Sequence, residues 1–313
     1  MVGIVILDYN NAIDTMNCID SVVKYTPQKI YKIIVVENGS NKETIECMNT
    51  YISKTYDSFV ILEEGENDVK FLPQIVLLIS KENSGYAEGN NKALRLFEGD
   101  NSIDSILILN NDILFIEDVI SPLYPYLTKI PKCGIISPLL LQRDGKSIDY
   151  NCARHDYKKM QFFWEYLFSF KNFFGIIGRY EYKKKYLLNN PDLLMRDYFE
   201  IELPSGSCML IRKELFKDID YFDKQTFLYF EENILYRKLR EWGKTNYLIP
   251  RVKCIHLGAS TSKRIPSMFT IRCQMKSTAY YLRRYRHAYI LAAYVDIMSY
   301  LTIIKIWVQG KLK

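Results

Sequence analysis

A short apolar run that ends in polar residues, over residues 105–112, constrains the fold of this chain more than any other stretch. Its sequence, Ser-Ile-Leu-Ile-Leu-Asn-Asn-Asp, is typical of a strand that is buried on both faces. A polar cluster at the carboxyl end of such a strand lies where open α/β sheets bind ligands. Asp112 would place a carboxylate on a rigid element beside a crevice, which suits a divalent cation and, through it, a diphosphate. An ordinary turn explains the same residues, because Asn and Asp are common in turns.

Two earlier strands are predicted to end in the same way. Residues 3–8 and 31–36 are apolar runs, and polar clusters follow them at 8–10 and 37–40. A helical pattern comes after each cluster. This alternation with short connections predicts an α/β fold with a mostly parallel, doubly wound sheet. Because the carboxyl ends of parallel strands share one edge of a sheet, the three polar clusters are expected to converge.

A glycine-containing turn at residues 83–91 follows two further predicted strands, at 58–62 and 75–79. The turn begins a helix that continues through Leu96, so its backbone N–H groups could face an anion. Taken alone, each of these polar clusters is also explained by ordinary turn chemistry.

The second half of the chain has a less regular pattern. Residues 150–200 are aromatic and basic without clear periodicity, and they are interpreted as an insertion that contacts a partner or as a helical subdomain that packs on itself. Regular elements are predicted on both sides of it: a helix at 120–130, strands at 134–141 and after 204–207, a helix that ends at Gly243, and strands at 245–249 and 252–255.

The tail, residues 267–309, is predicted to be helical with a break near His287. Three arginines within 283–286 precede an apolar stretch at 290–308. A basic segment followed by an apolar one is typical of a helix that lies on a membrane surface. Packing against the core is the alternative. An apolar run of about 18 uncharged residues is absent, which predicts that no helix spans a membrane.

Composition narrows the class of protein. The chain has 313 residues, of which 48% are apolar and 25% charged, as expected of a globular protein with a sizeable core. The net charge of +6 is compatible with an anionic ligand or membrane surface and is too small to indicate nucleic-acid binding. Seven scattered cysteines without a Cys-x-x-Cys pair argue against a disulfide framework and a zinc site, and indicate a reducing, cytoplasmic setting. The apolar amino terminus lacks a basic leader and fits a first strand better than a signal peptide.

Seven short motifs occur along the chain, at residues 6–10, 35–40, 82–91, 109–112, 204–207, 230–232 and 256–260. These motifs and their order resemble those of glycosyltransferase family 2, particularly the rhamnosyltransferase-like members that build bacterial surface polysaccharides. The resemblance implies the GT-A fold and an inverting transfer of a sugar from a nucleotide-sugar donor. It also implies a glycosyltransferase domain over 1–262, with a nucleotide-binding half at 1–112 and an acceptor half at 113–262, followed by a helical tail at 263–313.

A set of donor-binding residues follows from the resemblance. The loop after the first strand and Glu37 would hold the nucleoside, and the glycine-containing turn would flank the nucleotide and the donor sugar. The turn at 204–207 would line the donor and acceptor sugars. The implied residues are Asp8, Tyr9, Asn10, Glu37, Asn83, Gly85, Asn90, Asn111, Asp112, Ser205 and Gly206.

The resemblance assigns metal and catalytic roles as well. Asp112 would end an Asp-x-Asp type motif, whose first position is Asn110 here, and would ligate Mg²⁺ or Mn²⁺ on the diphosphate. His256 stands where some members have a further metal ligand. Glu232 occupies the position of the usual catalytic Asp and is expected to be the general base, with Glu231 as an orienting or acceptor-binding partner. Without the resemblance, two glutamates at a helix start are explained by the helix dipole.

The implied partners follow from the same family. We expect a donor such as dTDP-rhamnose or a UDP-hexose, and an acceptor hydroxyl on a lipid-linked or other oligosaccharide. The protein would then work in the cytoplasm with peripheral contact to the inner leaflet, without a nucleic-acid partner, as a monomer or a homo-oligomer. Three other classes compete with this interpretation: a glycoside hydrolase, which also uses two carboxylates, a non-catalytic sugar-nucleotide binding module, and a membrane-associated scaffold.

Overall fold

In a computed structural model of the protein, residues 1–66, 71–171, 186–258 and 268–308 are described. The first part of the chain alternates strands and helices. Its elements are β1 (Val2–Asp8), α1 (Ala12–Tyr25), β2 (Tyr31–Glu37), α2 (Lys42–Thr55), β3 (Phe59–Glu63), β4 (Ile75–Ile79), α3 (Gly85–Glu98) and β5 (Ser105–Asn110).

The second part mixes short strands with helices and ends in two long helices. Its elements are β6 (Ile113–Phe115), α4 (Ile120–Leu123), α5 (Tyr126–Lys129), β7 (Cys133–Leu141), α6 (Lys159–Lys171), β8 (Phe199–Ile201), β9 (Cys208–Arg212), α7 (Lys213–Asp218), α8 (Glu231–Glu241), β10 (Thr245–His256), α9 (Met268–Arg284) and α10 (Tyr289–Val308).

The ten strands of the described residues belong to one sheet, with the order β3-β4-β2-β1-β5-β9-β7-β10-β6 and with β8 paired to β10. The pairs among β1 to β5 are parallel, and β9 lies antiparallel between β5 and β7. Helices pack on both faces, so the prediction of a mostly parallel α/β sheet is confirmed. The polar ends of β1, β2 and β5 therefore lie at one edge.

Alternating side chains of the strands pack into two separate hydrophobic cores, one on each face of the sheet. In β1, Ile4 and Ile6 pack on the face that α1 and α2 cover, whereas Val5 points to the face that α3 covers. Helix α3 buries Leu94 and Phe97 on that second face. A strand buried on both faces reads as an unbroken apolar run, which is why these strands were predictable.

A third apolar cluster joins the two C-terminal helices to the rest of the protein. Phe162 of α6, Ile234 of α8, Leu282 of α9 and Val295 of α10 are all buried in it. Next to this cluster, the carboxylate of Asp156 accepts hydrogen bonds from side chains of α8, of α9 and of the segment that follows α9. The donors are Asn233, Arg237, Tyr281 and Arg286. One face of the tail therefore packs on the body of the protein.

The single helix predicted at 120–130 is wrong. The structure has two one-turn helices, α4 and α5, that meet at Tyr124 and Pro125. Both residues keep right-handed helical backbone angles, but Pro125 has no N–H group to donate, so the hydrogen-bond pattern of a continuous helix is interrupted there.

The two strands predicted around Pro250 form one strand, β10. Its register with β7 shifts between Ile249 and Lys253, and such an irregularity accommodates a proline inside a sheet. Strands β6 and β8 were not predicted, because three residues are too few to show a period.

The break predicted near His287 is confirmed, because α9 ends at Arg284, α10 begins at Tyr289 and His287 has a φ of 48°. Within the described residues, no helix is long and apolar enough to cross a membrane. Residues 172–185 of the aromatic and basic stretch lie outside the described residues, and so does the part of the matching segment 256–260 that follows Gly258.

Candidate active site

Two buried carboxylates stand side by side at the edge of the sheet. Asp8 ends β1, Glu37 ends β2, and the two residues are direct partners in the parallel register. Both side chains are fully buried, and burial raises the pKa of each carboxyl group. One oxygen of each, Oδ2 of Asp8 and Oε2 of Glu37, has no hydrogen-bond partner within the described residues. Each of these oxygens therefore keeps an unused capacity to accept a hydrogen bond.

The second oxygen of each carboxylate is held in place. Thr15 Oγ1 and Asn111 Nδ2 donate to Asp8 Oδ1 at 2.7 and 3.0 Å. The backbone N–H of Ser40 donates to Glu37 Oε1 at 2.8 Å. Asn111, predicted from the sequence as a donor-binding residue, thus orients Asp8 across two strands.

The loop after β1 presents two predicted residues to solvent. Tyr9 is about half exposed. Asn10 has a φ of 55°, and its Oδ1 accepts from the N–H of Asn41, which ties this loop to the start of α2. The phenol ring of Tyr9 is therefore free to lie against a flat ligand at the edge of the site.

Asn83 and Gly85 form a tight turn into α3. Asn83 Oδ1 accepts from the Gly85 N–H at 2.9 Å and from Nδ2 of Asn38, a buried residue at the end of β2. Gly85 has a φ of 81°, and a Cβ atom there would lie 2.4 Å from the carbonyl oxygen of Phe227. This position requires glycine because both the backbone angle and the close approach exclude a side chain.

Further along α3, Asn90 is fully buried. Its Nδ2 donates to the Tyr86 carbonyl, and its Oδ1 has no partner within the described residues. The hydroxyl of Tyr86 donates to the Gly206 carbonyl at 2.8 Å, which connects α3 to the predicted sugar-binding turn.

Asp112 and His256 meet beyond the end of β5. Asp112 Oδ2 lies 3.3 Å from His256 Nε2, and Ser207 Oγ lies 3.4 Å from the same nitrogen. On the other side of the ring, His256 Nδ1 is 2.6 Å from Asp149 Oδ2. Burial opposes the charged form of His256, but hydrogen bonds and charges from Asp112 and Asp149 outweigh it and raise the pKa of His256 to about 10.

These residues fit a divalent cation that a ligand helps to hold. Asp112 Oδ1 is buried and has no hydrogen-bond partner within the described part of the chain, although Asp112 lies two residues past the end of β5, at the ligand-binding edge. The described residues contain no group of three or more His, Cys, Asp or Glu side chains placed to hold a metal on their own. Mg²⁺ is commonly bound by one or two carboxylates together with substrate phosphates, and Asp112 can supply one such carboxylate. His256 can join as a ligand only when the cation displaces the proton on Nε2, because an imidazolium has no free lone pair.

Glu232 is fixed at the start of α8 by two donors. The backbone N–H of Gly206 and Nη2 of Arg154 each donate to Glu232 Oε1 at 3.0 Å, and the same Nη2 lies 3.0 Å from the Pro204 carbonyl. A Cβ atom on Gly206 would lie 3.1 Å from Glu232 Oε1. The predicted base and the predicted sugar-binding turn are thus in direct contact, with Ser205 buried beside them.

Glu231 differs from its neighbour. It is buried, and burial together with the charge of Glu232 raises the pKa of Glu231 to about 8. Tyr229 and Phe230, just before it, have φ values of 73° and 72°. Non-glycine residues in this left-handed region are strained, and such strain is concentrated at functional sites.

Sequence reasoning missed two residues of the site, Asp149 and Arg154. Both come from the border of the stretch without periodicity, and they reach His256 and Glu232 across about 107 and 78 residues of chain. The only local signal was an Asp-x-Asn turn, in which Asp149 Oδ1 accepts from Asn151. A turn of that kind does not by itself indicate a site.

Most of the predicted site residues form one connected network. Glu37 lies beside Asp8, Asp8 is bound by Asn111, and Asp112 follows Asn111 in the chain. From Asp112 the contacts continue through His256 to the 205–207 turn and on to Glu232. The three polar strand ends and the start of α8 therefore converge at one edge of the sheet.

Comparison with known proteins gives a family for this arrangement. A family model described as Glycosyl transferase family 2 matches residues 4–220. A low-salt glycan biosynthesis hexosyltransferase, Agl10 of Haloferax volcanii, is 24% identical over 212 residues, which cover 66% of this chain and 61% of that protein. An N-acetylglucosaminyl-diphospho-decaprenol L-rhamnosyltransferase of Mycobacterium tuberculosis is 23% identical over 239 residues, which cover 72% of this chain and 74% of that protein.

Two solved structures share the fold. The mannosyltransferase PcManGT of Pyrobaculum calidifontis, in complex with GDP-Man and Mn²⁺, has a TM-score of 0.56 at 13% identity and aligns with 98% of this chain and 75% of its own. GalNAc-T7 with UDP, GalNAc and Mn²⁺ has a TM-score of 0.61 at 14% identity, with 92% of this chain and 49% of its own covered.

Proposed function

Since the chain belongs to glycosyl transferase family 2 and has the GT-A fold, we propose that it is an inverting enzyme that transfers a sugar from a nucleotide-sugar donor to a glycan acceptor hydroxyl. The observation that carries the proposal is the convergence of Asp112 and Glu232 at one edge of the sheet. Asp112 is linked to the turn at residues 205–207 through His256, and the anchored carboxylate of Glu232 contacts the same turn directly.

The nucleoside is proposed to bind against Asp8 and Glu37. Each carboxylate keeps one buried oxygen without a partner, and a buried acceptor left unpaired costs about 1–3 kcal/mol. The N–H and O–H groups of a nucleoside would satisfy these oxygens. Tyr9 would cover the base, and Asn83 with Gly85 would fix the turn that lies beside the donor.

Asp112 and His256 would hold a divalent cation, Mg²⁺ or Mn²⁺, on the donor diphosphate. When bound, the cation neutralises negative charge that grows on the leaving nucleoside diphosphate. Asp149 orients the His256 ring through Nδ1, and such a partner fixes which ring nitrogen is available as a ligand. Ser207 would add a hydroxyl at the same point.

Glu232 is proposed to take the proton of the acceptor hydroxyl as that oxygen attacks the anomeric carbon. A general base must lie within hydrogen-bond reach of the proton and must be ionised. The Arg154 guanidinium and the Gly206 N–H both favour the ionised, oriented carboxylate. Glu231 is a poor candidate for this role at neutral pH because its raised pKa keeps it largely protonated.

The proposed acceptor is a lipid-linked oligosaccharide, and the proposed setting is glycan synthesis in the cytoplasm at the membrane surface. The name of the mycobacterial relative describes an acceptor on a diphospho-decaprenol carrier. The same name supports dTDP-rhamnose as a donor, whereas the hexosyltransferase relative supports a UDP-hexose. The chain spans 61% of the Haloferax protein, so both assignments are proposals for this chain.

A thermal-shift screen of nucleotide sugars, with and without Mn²⁺, tests the proposal. A donor that binds the folded state raises the melting temperature. At a concentration one hundred times its Kd, such a donor adds about 2.7 kcal/mol to the free energy of unfolding. The donor selected in this way is then incubated with a sugar-diphosphate-polyprenol. Formation of an inverted glycosidic product supports the enzyme. Donor binding without turnover on any acceptor or water would instead indicate a binding module.

A further inference from the structure

Helix α10 exposes a continuous apolar stripe. Ile290, Ile297, Leu301, Ile304 and Val308 are separated by seven, four, three and four residues, which places them on one face. Their exposed fractions are 89%, 59%, 40%, 42% and 70%, in that order. Proteins that are monomeric in water rarely expose contiguous apolar patches above a few hundred Å². This stripe therefore indicates a contact surface.

The opposite face of α10 is already occupied. Ala292, Val295 and Met298 are buried in the cluster with α6 and α9. The exposed stripe thus cannot be buried by rotating the helix without opening that cluster. A helix that is apolar on all sides is normally covered on all sides.

Basic residues lie next to the stripe. Between residues 268 and 308 the chain has six lysines and arginines and one acidic residue, a net charge of +5 out of +6 for the whole chain. Arg272, Lys276 and Arg283 share the exposed face of α9. The one acidic residue, Asp296, lies on the exposed face of α10 and pairs with Arg283, so the basic face of α9 directly adjoins the apolar stripe.

We propose that the α10 stripe and the basic face of α9 dock on an anionic lipid surface. Apolar side chains enter the boundary between headgroups and acyl chains, while the neighbouring lysine and arginines contact lipid phosphates. Tyr289 and Tyr300, both more than 60% exposed, have the amphipathic ring that suits this depth. A second copy of the chain is a poorer occupant, because a two-fold contact would bring the basic faces of two α9 helices together.

The docking surface is one helix away from the candidate active site. Ser277 of α9 donates to the Leu228 carbonyl at 2.8 Å, and Tyr280 and Tyr285 donate to Asp223. These contacts hold the segment that leads into Glu231 and Glu232. A protein docked through α9 and α10 would therefore keep its acceptor side close to the lipid surface, where a lipid-linked acceptor is located.

Co-sedimentation of the full chain with vesicles tests the docking surface without any donor or acceptor. Vesicles of phosphatidylcholine alone are compared with vesicles of phosphatidylcholine and phosphatidylglycerol in equal parts. We expect binding to the anionic vesicles and weak binding to the neutral ones. Ile297→Asp with Ile304→Asp should weaken binding by about tenfold or more for each substitution. Arg272→Gln with Lys276→Gln should weaken it by roughly 30-fold in low salt.

Matched controls test whether binding depends on this surface in particular or only on the number of exposed charged and apolar side chains. Phe71→Asp with Met195→Asp changes two apolar side chains that are 87% and 88% exposed elsewhere, and Lys42→Gln with Lys54→Gln removes two exposed lysines of α2. Both controls should bind vesicles as the parent protein does. Equal binding by the α10 variant would overturn the proposal, as would absence of binding to anionic vesicles. A dimer in light scattering that Ile297→Asp dissociates would also overturn it and assign the stripe to a second copy.

The docking proposal stands apart from the transfer reaction. Donor-induced thermal shifts should be the same for the parent protein and the Ile297→Asp, Ile304→Asp variant, because the stripe contacts none of the site residues named above. A protein that binds vesicles and fails to bind any nucleotide sugar would contradict the proposed function and leave the docking surface supported.

Discussion

Three acidic residues at the sheet edge are buried although not all of their oxygens have a hydrogen-bond partner. Asp8, Glu37 and Asp112 each keep one buried carboxylate oxygen without a partner in the described part of the chain. Buried polar groups are usually hydrogen-bonded, and an exception needs a physical reason. The reason we favour is a ligand that supplies the missing donors and the cation. Two of the three carboxylates have a raised pKa, as burial without a ligand would produce.

Asp112→Asn should lower Mn²⁺-dependent donor affinity by about tenfold or more, which corresponds to about 1.4 kcal/mol. The neutral amide is a weaker ligand for a hard cation than a carboxylate is. Calorimetry with the selected donor, with and without Mn²⁺, measures the effect. Asp192→Asn, at an exposed position, is the control. Equal affinity for the parent protein and Asp112→Asn in both conditions would remove Asp112 from the metal site.

Glu232→Gln should retain donor binding and lower the transfer rate by about 10²–10⁴-fold. A glutamine has nearly the same shape and cannot accept the acceptor proton, and a general base typically contributes that factor. Donor affinity and single-turnover transfer are measured on the same preparation. Glu214→Gln, on the exposed side of α7, should change neither value. Transfer at the parental rate would assign the base to another group.

Gly85→Ala should destabilise the protein by about 1–2 kcal/mol or more. The left-handed backbone alone costs a residue with a Cβ that amount, and the Cβ would also lie against the Phe227 carbonyl. Gly99→Ala is the matched control, because Gly99 has a φ of −73° and its nearest atom would be 3.8 Å away. The Gly99→Ala control should increase the free energy of unfolding by up to about 1 kcal/mol. Urea denaturation that ranks the two variants in the reverse order would contradict the account of this turn.

Among the secondary-structure elements, α8 carries the most unusual local structure. Two consecutive left-handed residues precede it, and its first turn holds two glutamates of opposite character: Glu232 paired with Arg154, and Glu231 buried. The partial positive charge at a helix start favours acidic side chains, but that effect alone would leave both exposed. The burial of Glu231 therefore comes from the packing around the start of α8 and not from the helix dipole.

Glu231→Gln should remove a pH dependence from the stability of the protein. The pKa of Glu231 is 4.5 when unfolded and about 8 when folded, so the folded state binds more protons between these values. The contribution of this group to the free energy of unfolding is fully present below pH 4.5. As the pH rises from 4.5 to about 8, that contribution falls by about 1.4 kcal/mol for each pH unit. Denaturation across this range should give a growing advantage to Glu231→Gln. Glu241→Gln, exposed on the same helix, should follow the parent curve; parallel curves for Glu231→Gln would contradict the raised pKa.

The elements that the sequence predicted and those that it missed differ in length and in context. Strands β1, β2, β4 and β5 were predictable because double burial produces unbroken apolar runs. Strands β6 and β8 have three residues each and take their conformation from pairing with β10. Pro250 suggested two strands, and only the shifted register with β7 explains how one strand contains it. A local sequence pattern therefore does not predict features that depend on how strands pair across the sheet.

At the scale of the whole molecule, the parallel topology explains why the site could be anticipated. Strand ends at 8, 37 and 110 had to share an edge once the strands were parallel, and the contact of Asn111 with Asp8 follows from that. Asp149 and Arg154 could not be anticipated, since they arrive from a stretch without periodicity. Both complete the site through contacts that depend on the path of the chain after β7.

The tail allows a test of whether the molecule is one cooperative unit, because Ala292 and Ala293 are neighbours on α10 that differ in burial. Ala292 is fully buried in the cluster that includes Phe230 and Ile234, whereas Ala293 is exposed beside the apolar stripe. Ala292→Asp places an unpaired charge among apolar side chains and should cost about 3 kcal/mol or more. Ala293→Asp should change stability by less than about 0.5 kcal/mol.

The two variants should also differ in function. Since α9 and α10 pack against the segment before Glu231, Ala292→Asp should lower the denaturation midpoint of the whole chain and the transfer rate together. Ala293→Asp should keep both values and weaken only binding to anionic vesicles. The opposite result would be a tail that proteases cleave in Ala292→Asp while the midpoint and the transfer rate stay at parental values. The tail would then fold independently of the rest of the chain, and the link between lipid docking and the active site would be wrong.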